Sequence, residues 1–341
     1  MNELLGFWAQ WLRPSAGLPT VQWSLLLAVA AIAGHLLQRH TGLPKVVGYS
    51  IVGTLAGLAG FSGAVWPLQG IGLFLLEFSV AIVLFETGGR ISLRWFRHNP
   101  MVLVQSLAES ALAYFAVYQV LLWLDTPTAV AGALALVAMA ASPTVLTRVV
   151  ADTRAAGPVT ERAIVLTTLS TLYVLTLGSA RAELMNRPAQ SLLETISPVM
   201  VVLGISILSA ALLALLMRWA LRFMSPASEN TTIVLLALIA AASAMASHLG
   251  GSAPLAALLG GMLLKHWYPR PWAWPRQLGP VSSLLNMLLF VLVSTVAAQA
   301  DWSAPVAGVV LALIAVRLLA KAVGVGLGNV GSGASWRQAL W

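Results

Sequence analysis

The sequence predicts an all-α polytopic membrane protein with about eleven transmembrane helices, and two observations carry this prediction. Of its 341 residues, 59% are hydrophobic and only 9% are charged, whereas an average soluble domain carries about 25% charged residues. Apolar runs of about 20 residues recur from one end of the sequence to the other, and each is long enough to cross a bilayer. We therefore expect the chain to be embedded in a lipid bilayer.

Eleven apolar spans can be delimited along the sequence. They cover residues 21–39, 44–60, 68–90, 101–123, 128–150, 161–181, 197–219, 231–247, 251–266, 280–299 and 304–328. A short amphipathic lead precedes them, and we expect it to lie at the membrane interface. There is no cysteine, which excludes a disulfide framework and thiolate metal sites, and we expect no cofactor.

Basic residues predict the orientation of the chain. The connections after the odd-numbered spans carry fourteen of them, namely Arg39, Lys45, Arg90, Arg94, Arg97, Arg148, Arg154, Arg162, Arg218, Arg222, Lys265, Arg270, Arg276 and Arg337. The opposite side carries Arg13, Arg181 and Arg187. By the positive-inside rule, the N-terminus lies outside and the C-terminus lies in the cytoplasm. The net charge of +8 is spread over these loops, which argues against a nucleic-acid partner.

A proline interrupts the fifth span and leaves two explanations open. Residues 128–150 are apolar, but Ser142, Pro143 and Thr144 lie among them. Because proline lacks an N–H donor and clashes with the preceding turn, a helix here is kinked or broken. Transporters use such breaks as ion and substrate sites, because irregular backbone persists in a membrane only inside protein or along a wet cavity. An ordinary proline kink in a packed span is the alternative.

An offset of 208 residues relates the two halves of the chain. The matching pairs are His40 with His248, Gly42 with Gly250 and Gly53 with Gly261. The same offset places spans one to four on spans eight to eleven, and an odd number of spans separates the halves, so the repeats are inverted. The predicted domains are an interfacial lead over 1–19, a first repeat of six helices over 20–181, a linker helix with loops over 182–230, and a truncated second repeat of four helices over 231–341.

A series of short motifs runs along nearly the whole chain in a characteristic order. They are Gly42-Leu43-Pro44-Lys45-Val46-Val47-Gly48-Tyr49 followed by Gly53, Leu76-Glu77-Phe78 followed by Val83-Leu84-Phe85-Glu86-Thr87-Gly88, Ala141-Ser142-Pro143-Thr144, the stretch from Gly250 to Gly261, and Leu288-Leu289-Phe290. Together they resemble the monovalent cation:proton antiporter superfamily, especially its Kef-type and Na⁺/H⁺-exchanger-like bacterial members.

The resemblance implies a fold and a function. The family fold has paired six-helix inverted repeats in thirteen spans, and a dimerisation domain packs against a core in which two broken helices cross at the ion site. The break near Ser142 takes the place of the first broken helix, whereas the counterpart of the second would lie beyond Trp341. The resemblance also implies a homodimer in the bacterial inner membrane that exchanges a monovalent cation, Na⁺ or K⁺, for protons by alternating access.

The sixth span departs from the family pattern. Where family members carry Asn-Asp, Asp-Asp or Gln-Asp, this sequence has Ser170-Thr171. Hydroxyl oxygens can coordinate a cation but cannot carry a proton at physiological pH. The resemblance therefore implies Ser142, Thr144, Ser170 and Thr171, together with the backbone carbonyls freed at the break, as ligands of the transported cation.

Carboxylates within the spans are the candidates for the proton carrier, since an ionisable group in a membrane is functional by default and burial suits it to carry a proton. Glu77 lies in the middle of the third span, and we expect it to serve the ion pathway or to form a pair in the core. Glu86 lies nine residues further on, on the opposite face of the helix. We expect it either to snorkel to the cytoplasmic interface or to pair with Arg90 one turn away.

Glu109 in the fourth span is a further candidate. The 208-residue offset takes it to Arg317, and we expect these two side chains to pair, either in the ion pathway or as a structural ion pair. Lys321, one turn beyond Arg317, is the alternative basic partner, because the family carries a basic residue in this helix; its long stem also allows it to snorkel to the interface.

Two functions remain open. The first is a secondary transporter that exchanges a monovalent cation for protons, with Glu77 or Glu109 as the proton carrier. The second is a truncated or non-transporting membrane subunit of the same fold. An enzyme is not expected, because the sequence contains no zinc-protease helix motif, nucleotide-binding loop or nucleophile elbow.

Overall fold

In the computed structural model, the described residues are 18–61, 70–186, 192–225, 228–268 and 278–329, and they form helices and no strands. We number the thirteen helices of these ranges α1 (Leu18–Thr41), α2 (Lys45–Leu58), α3 (Gly70–Gly89), α4 (Leu93–His98), α5 (Met101–Trp123), α6 (Thr128–Met139), α7 (Pro143–Thr153), α8 (Pro158–Asn186), α9 (Leu192–Phe223), α10 (Glu229–His248), α11 (Ala253–Trp267), α12 (Leu278–Ala298) and α13 (Ala304–Asn329). Most of the predicted interfacial lead (1–17) and the end of the predicted second repeat (330–341) lie outside the described residues.

The predicted spans correspond to these helices. The fourth span coincides with α5, and the fifth is divided into α6 and α7. Within the described residues, seven helical segments are long and apolar enough to cross a membrane, and α2 and part of α12 are shorter apolar helices. The count of eleven transmembrane helices stays a prediction. The sequence did not predict α4, a six-residue helix with two arginines, because it is too short to show a helical periodicity.

The chain divides into two compact units, residues 1–76 with 286–300 and residues 77–285 with 301–341. In the first unit, α1 and α2 pack with the end of α12 around Trp23, Ala30 and Val291. Gly53 permits a close backbone approach there, since a Cβ on it would lie 2.5 Å from the carbonyl oxygen of Val291. The hydroxyl of Thr295 donates to the carbonyl of Gly53 at 3.1 Å.

In the second unit, α5 and α13 form a closely packed antiparallel pair. A Cβ on Gly324 would lie 2.5 Å from the Cα of Glu109, and one on Gly328 would lie 2.6 Å from the Cα of Gln105. As α13 advances by one turn, its contact on α5 therefore moves back by one turn. Small residues allow such an approach of helix backbones in membranes, and the approach places Glu109 directly against α13.

Two apolar clusters fix the helices around this pair. On one side, α5 packs with α6 and α13 through Val117, Leu121, Ala131 and Ala135. Toward the start of α5, Val102 packs with residues of α8 and α11. The helices α5, α6, α8 and α13 are thereby held together around the interruption between α6 and α7.

One helix bound also agrees with the 208-residue offset. The start of α2 gives 45 + 208 = 253, which is the start of α11. The glycines that precede α2 and α11 both adopt left-handed backbone conformations, with φ of 74° at Gly42 and 86° at Gly250, which only glycine adopts freely. The division of the chain into repeat domains stays a prediction.

Candidate ion site at the broken helix

The fifth span is broken, as the Ser-Pro sequence predicts. Helix α6 ends at Met139, Ala140 and Ser142 have extended backbones, and α7 begins at Pro143. Proline disfavours helical dihedrals at the residue before it and is well suited to the first position of a helix. Ser142 caps the new helix by accepting a hydrogen bond from the Val145 N–H at 3.3 Å. The sequence at the break thus ends one helix and starts the next.

Two cations of α13 bind the carbonyl end of α6. Arg317 donates from Nε to the carbonyl of Ala138 at 2.8 Å and from Nη2 to the carbonyl of Ala140 at 2.6 Å. Lys321 donates from Nζ to the carbonyl of Met139 at 3.1 Å. Three successive carbonyls that a continuous helix would have satisfied internally are therefore capped by side chains. The carbonyl end of a helix carries partial negative charge, which the two cations complement.

Two hydroxyls of α8 bind the next peptide group of the break. Thr171 Oγ1 donates to the carbonyl of Ala141 at 2.5 Å, and the Ala141 N–H donates to Ser170 Oγ at 3.1 Å. Ser170 is fully buried. The structure therefore brings Ser170 and Thr171 to the break, as their place in the sixth span predicts, and both hold its backbone. Their role as cation ligands stays a prediction.

The ammonium group of Lys321 also forms an ion pair with the carboxylate of Glu109. Only 7% of the Glu109 side chain and 16% of the Lys321 side chain are exposed. The predicted pair between Glu109 and Arg317 is therefore wrong, and the alternative partner, Lys321, is the one observed. The reason is geometric: an axis in the membrane plane inverts depth, so residues related by it share a depth only at the level of the axis.

The antiparallel register of α5 and α13 explains why Glu109 pairs with Lys321 and not with Arg317. Glu109 lies opposite Gly324, so that Lys321, three residues earlier, is within reach of its carboxylate. Arg317 is seven residues from Gly324, which is about 10 Å along the helix. At that height Arg317 faces the end of α6.

Ser142 and Thr144 lie at the amide end of α7. Their hydroxyls are hydrogen-bonded to each other at 2.9 Å; Ser142 is exposed and Thr144 is half-buried. The amide end of a helix carries partial positive charge, which disfavours a cation beside these hydroxyls in the observed arrangement. The prediction that they bind the transported cation stays untested.

The two glutamates of α3 do not take part in the hydrogen bonds of the break. Glu77 is exposed, and its place in an ion pathway stays a prediction. Glu86 forms the expected pair with Arg90, at 2.8 Å between Oε1 and Nη2, which confirms the prediction for this glutamate.

Three polar residues of α5 next to Glu109 were not predicted. Gln105, Ser106 and Ser110 are each at most 1% exposed. Gln105 Nε2 donates to the carbonyl of Val325 at 2.9 Å, whereas Gln105 Oε1 and both serine hydroxyls are buried without a hydrogen-bond partner in the described part of the chain. The signal was present in the sequence, since positions 105, 106, 109 and 110 form one polar stripe at helical spacing in an apolar span.

Comparison with known proteins gives a family match and two similar structures. The model of the family described as sodium/hydrogen exchanger, transmembrane, matches residues 25–341. A structure of the sodium proton antiporter MjNhaP1 from Methanocaldococcus jannaschii at pH 8 is similar, with 15% identity, a TM-score of 0.72, and coverage of 94% of this chain and 80% of that chain. An electron-microscopy map of the same antiporter is also similar, with 16% identity, a TM-score of 0.72, and coverage of 96% of this chain and 81% of that chain.

The sequence has no match among curated proteins. The structural likeness confirms the all-α, antiporter-like fold, and the matched family model covers all of the helices except the start of α1. The chain therefore belongs to the sodium/hydrogen exchanger family, whose members are membrane-embedded cation:proton antiporters and not enzymes.

Proposed function

We propose that this chain exchanges a monovalent cation, Na⁺ or K⁺, for protons by alternating access, and that Glu109, Lys321 and the carbonyl of Met139 form the exchange site. One observation carries the proposal. The Lys321 ammonium group binds two oxygens at once, Glu109 Oε1 and the Met139 carbonyl oxygen. Both are hard oxygen ligands, and a monovalent cation in place of the ammonium would carry the same single charge.

Charge balance makes the two occupants mutually exclusive. A buried carboxylate without a compensating charge is strongly unfavourable, so Glu109 retains a partner in every stable state. Lysine can release its proton when it is buried, whereas arginine remains protonated in proteins. When Lys321 gives up its proton, its neutral amine no longer compensates Glu109, and a metal cation takes its place. One cation is then bound for each proton released.

The remaining contacts hold the break during this exchange. Arg317 binds Ala138 and Ala140, and the α8 hydroxyls bind Ala141, without the participation of Lys321. Release of Lys321 therefore frees only the Met139 carbonyl. In this proposal Ser170 and Thr171 position the backbone, and the proton is carried by the Glu109–Lys321 pair instead of a carboxylate in the sixth span.

The polar stripe of α5 supports access to Glu109 from both sides of the membrane. Ser106 lies toward the start of this helix and Ser110 toward its end, on either side of Glu109, and both hydroxyls lack a protein partner. Buried polar groups of this kind are commonly satisfied by water. A water-filled path along one serine at a time would connect Glu109 to one side of the membrane and then to the other. The predicted orientation, with the N-terminus outside the bacterial inner membrane, makes Ser106 the cytoplasmic side; the homodimer is part of the same proposal.

Proton flux in proteoliposomes tests the proposal. We expect the wild-type protein to move protons in response to Na⁺ or K⁺ gradients, with Li⁺ as a further cation. Lys321→Arg keeps the positive charge beside Glu109 but cannot release a proton, so exchange should be lost while the protein folds. The matched control is Lys265→Arg, at another of the three lysines in the chain. Exchange by Lys321→Arg at the wild-type rate would overturn the proposed site.

A non-transporting membrane subunit is the second candidate, and one observation favours it. All carbonyls from Ala138 to Ala141 are capped by side chains, and Glu109 is already neutralised. In that case the Glu109–Lys321 pair is purely structural. The flux assay separates the two candidates, since correctly inserted wild-type protein without cation-dependent proton movement would exclude exchange.

A further inference from the structure

A large cavity lies beside the break, and Ser110 of α5 lies in its wall. It has a volume of about 670 Å³, is open on one side and is lined by α5, α6, α8 and α9. Leu172, Leu177 and Leu203 are typical of its apolar wall, and Leu136 and Met139 line it where α6 ends. Apolar cavities of this size that contain a few polar groups are the usual form of ligand sites.

Among the described residues that line the cavity, one is a cation, Arg181. Its Nη2 atom donates to the carbonyl of Ala129 at 2.7 Å, near the start of α6. Gly132 makes room for the guanidinium, because a Cβ on this residue would lie 2.7 Å from Nη2. The Nε atom is buried and has no acceptor among the residues that the structure describes. A charged group with a buried, unsatisfied donor in apolar surroundings is unfavourable, and an anionic oxygen at this place would relieve it.

The length of the cavity matches one leaflet of a bilayer. From Leu172 to Arg181, α8 advances nine residues, or about 13 Å, and α6 runs a similar distance from Ala129 to Met139. Half of the hydrocarbon core of a bilayer is about 15 Å. Arg181 is therefore near the level of the lipid headgroups when the end of α6 is near the middle of the membrane.

We propose that this cavity binds an anionic phospholipid from the leaflet on the Arg181 side. Its phosphate oxygens accept hydrogen bonds from Arg181, including the one that Nε does not make within the protein. One acyl chain fills the apolar cavity and ends against Leu136 and Met139. The observations that carry this proposal are the unsatisfied donor at headgroup level and the apolar space below it, and they are independent of the proposed exchange.

The location gives the lipid a defined neighbour. Met139 contributes its side chain to the cavity and its carbonyl to Lys321. An acyl chain in the cavity thus contacts the last turn of α6 through Met139, whose carbonyl is bound by α13. A headgroup-dependent effect on the stability of the protein follows directly from this arrangement.

Lipid binding and site-directed labelling test the proposal. Delipidated protein is placed in nanodiscs of phosphatidylcholine with a small admixture of phosphatidylglycerol that has the same acyl chains, and retained lipid is counted by native mass spectrometry. We expect a preference for phosphatidylglycerol of about tenfold, the ratio that one charge-assisted hydrogen bond supplies. The preference should disappear in Arg181→Gln and persist in Arg97→Gln, which removes an exposed arginine from α4.

A photoactivatable phosphatidylglycerol shows where the acyl chain of the bound lipid lies. With a diazirine at the terminal carbon of one acyl chain, we expect cross-links to the α6 peptide that contains Leu136 and Met139, and we expect Ala111→Phe, which fills the cavity from α5, to abolish them. Equal headgroup preference in wild type and Arg181→Gln would overturn the proposal. Labelling spread evenly over the exposed helix faces, with none concentrated on α6, would overturn it as well. If Arg181→Gln does not fold, the comparison of α6 labelling between wild type and Ala111→Phe tests the proposal by itself.

Discussion

The two helix ends that meet at the break are held by different chemistry. The carbonyl end of α6 is bound by the charged groups of Arg317 and Lys321 from α13. The amide end of α7 is bound by the neutral hydroxyl of Ser142 from its own chain segment. A helix terminus carries a partial charge of about half a unit, negative at the carbonyl end and positive at the amide end. Here only the negative end meets the opposite charge.

This difference separates a charge-dependent end from a charge-independent one. Lys321 also neutralises Glu109, so the α6 end belongs to a buried network in which the loss of one member leaves another charge unpaired. The α7 end depends on a single exposed cap. Substitutions at the α6 end should therefore cost far more stability than substitutions at the α7 end. The following predictions test that difference, and each is measured as the free energy of unfolding in detergent.

Removal of the ammonium group should have the largest effect. Lys321→Ala leaves Glu109 as a buried, uncompensated charge, which costs about 3–5 kcal/mol. The double variant Glu109→Gln with Lys321→Met removes both charges and should recover more than half of that loss, although it should not exchange cations. A loss in Lys321→Ala no greater than in Lys265→Ala would show that the pair is not part of the stabilising network.

Removal of the guanidinium should come next. Arg317→Ala leaves the carbonyls of Ala138 and Ala140 without their charged donor, and a hydrogen bond to a charged group contributes about 1.5–3 kcal/mol. Arg317→Lys keeps the charge but cannot reach both carbonyls with the same planar geometry, so about half of the loss should remain. Equal stability of Arg317→Lys and wild type would mean that charge alone holds α6.

A hydroxyl at the centre of the break should contribute less. Thr171→Val removes the donor to the carbonyl of Ala141 and should cost about 1–2 kcal/mol, the penalty for a buried acceptor left unsatisfied. Thr168→Val is the matched control, because the Thr168 hydroxyl donates only to Ile164, within its own helix. If the two variants lose the same amount, the contact of Thr171 across the break has no special role.

The α7 cap should show the smallest effect and can also be strengthened. Ser142→Ala removes the side-chain acceptor for the Val145 N–H and should cost about 1 kcal/mol or less. Ser142→Asp keeps an acceptor and adds the negative charge that this helix end lacks, which should raise stability by about 0.3–1 kcal/mol. A destabilised Ser142→Asp variant would contradict the description of this end as electrostatically uncompensated.

The sequence was informative about the helices because their signals are local. The length of the apolar run predicted both ends of α5 correctly, and the Ser-Pro pair predicted the change from α6 to α7. Each of these signals depends only on the residues of one segment. The short helix α4 has too few residues for a periodic pattern. The lengths of the helices do not reveal their register, and it is register that decides which charges meet.

Five residues of the candidate site were predictable from the sequence, but their pairing was not. Glu109, Arg317, Lys321, Ser170 and Thr171 were all expected near the ion pathway, and the structure brings them to the break or to one another. The partner of Glu109 depends on the height at which α5 and α13 approach, which the contact at Gly324 fixes. The capping role of the two cations could not be predicted for a related reason. Their acceptors are backbone carbonyls, which the residue types do not distinguish.

The spacing of the two cations on α13 has a mechanical consequence. Arg317 and Lys321 are four residues apart on one helix, and together they donate hydrogen bonds to three successive carbonyls. A slide of α13 by a single residue rise, about 1.5 Å, would displace all three donor atoms from their carbonyls at once. Movement of the helix therefore acts on the three contacts together, whereas the release of Lys321 alone frees only the carbonyl of Met139.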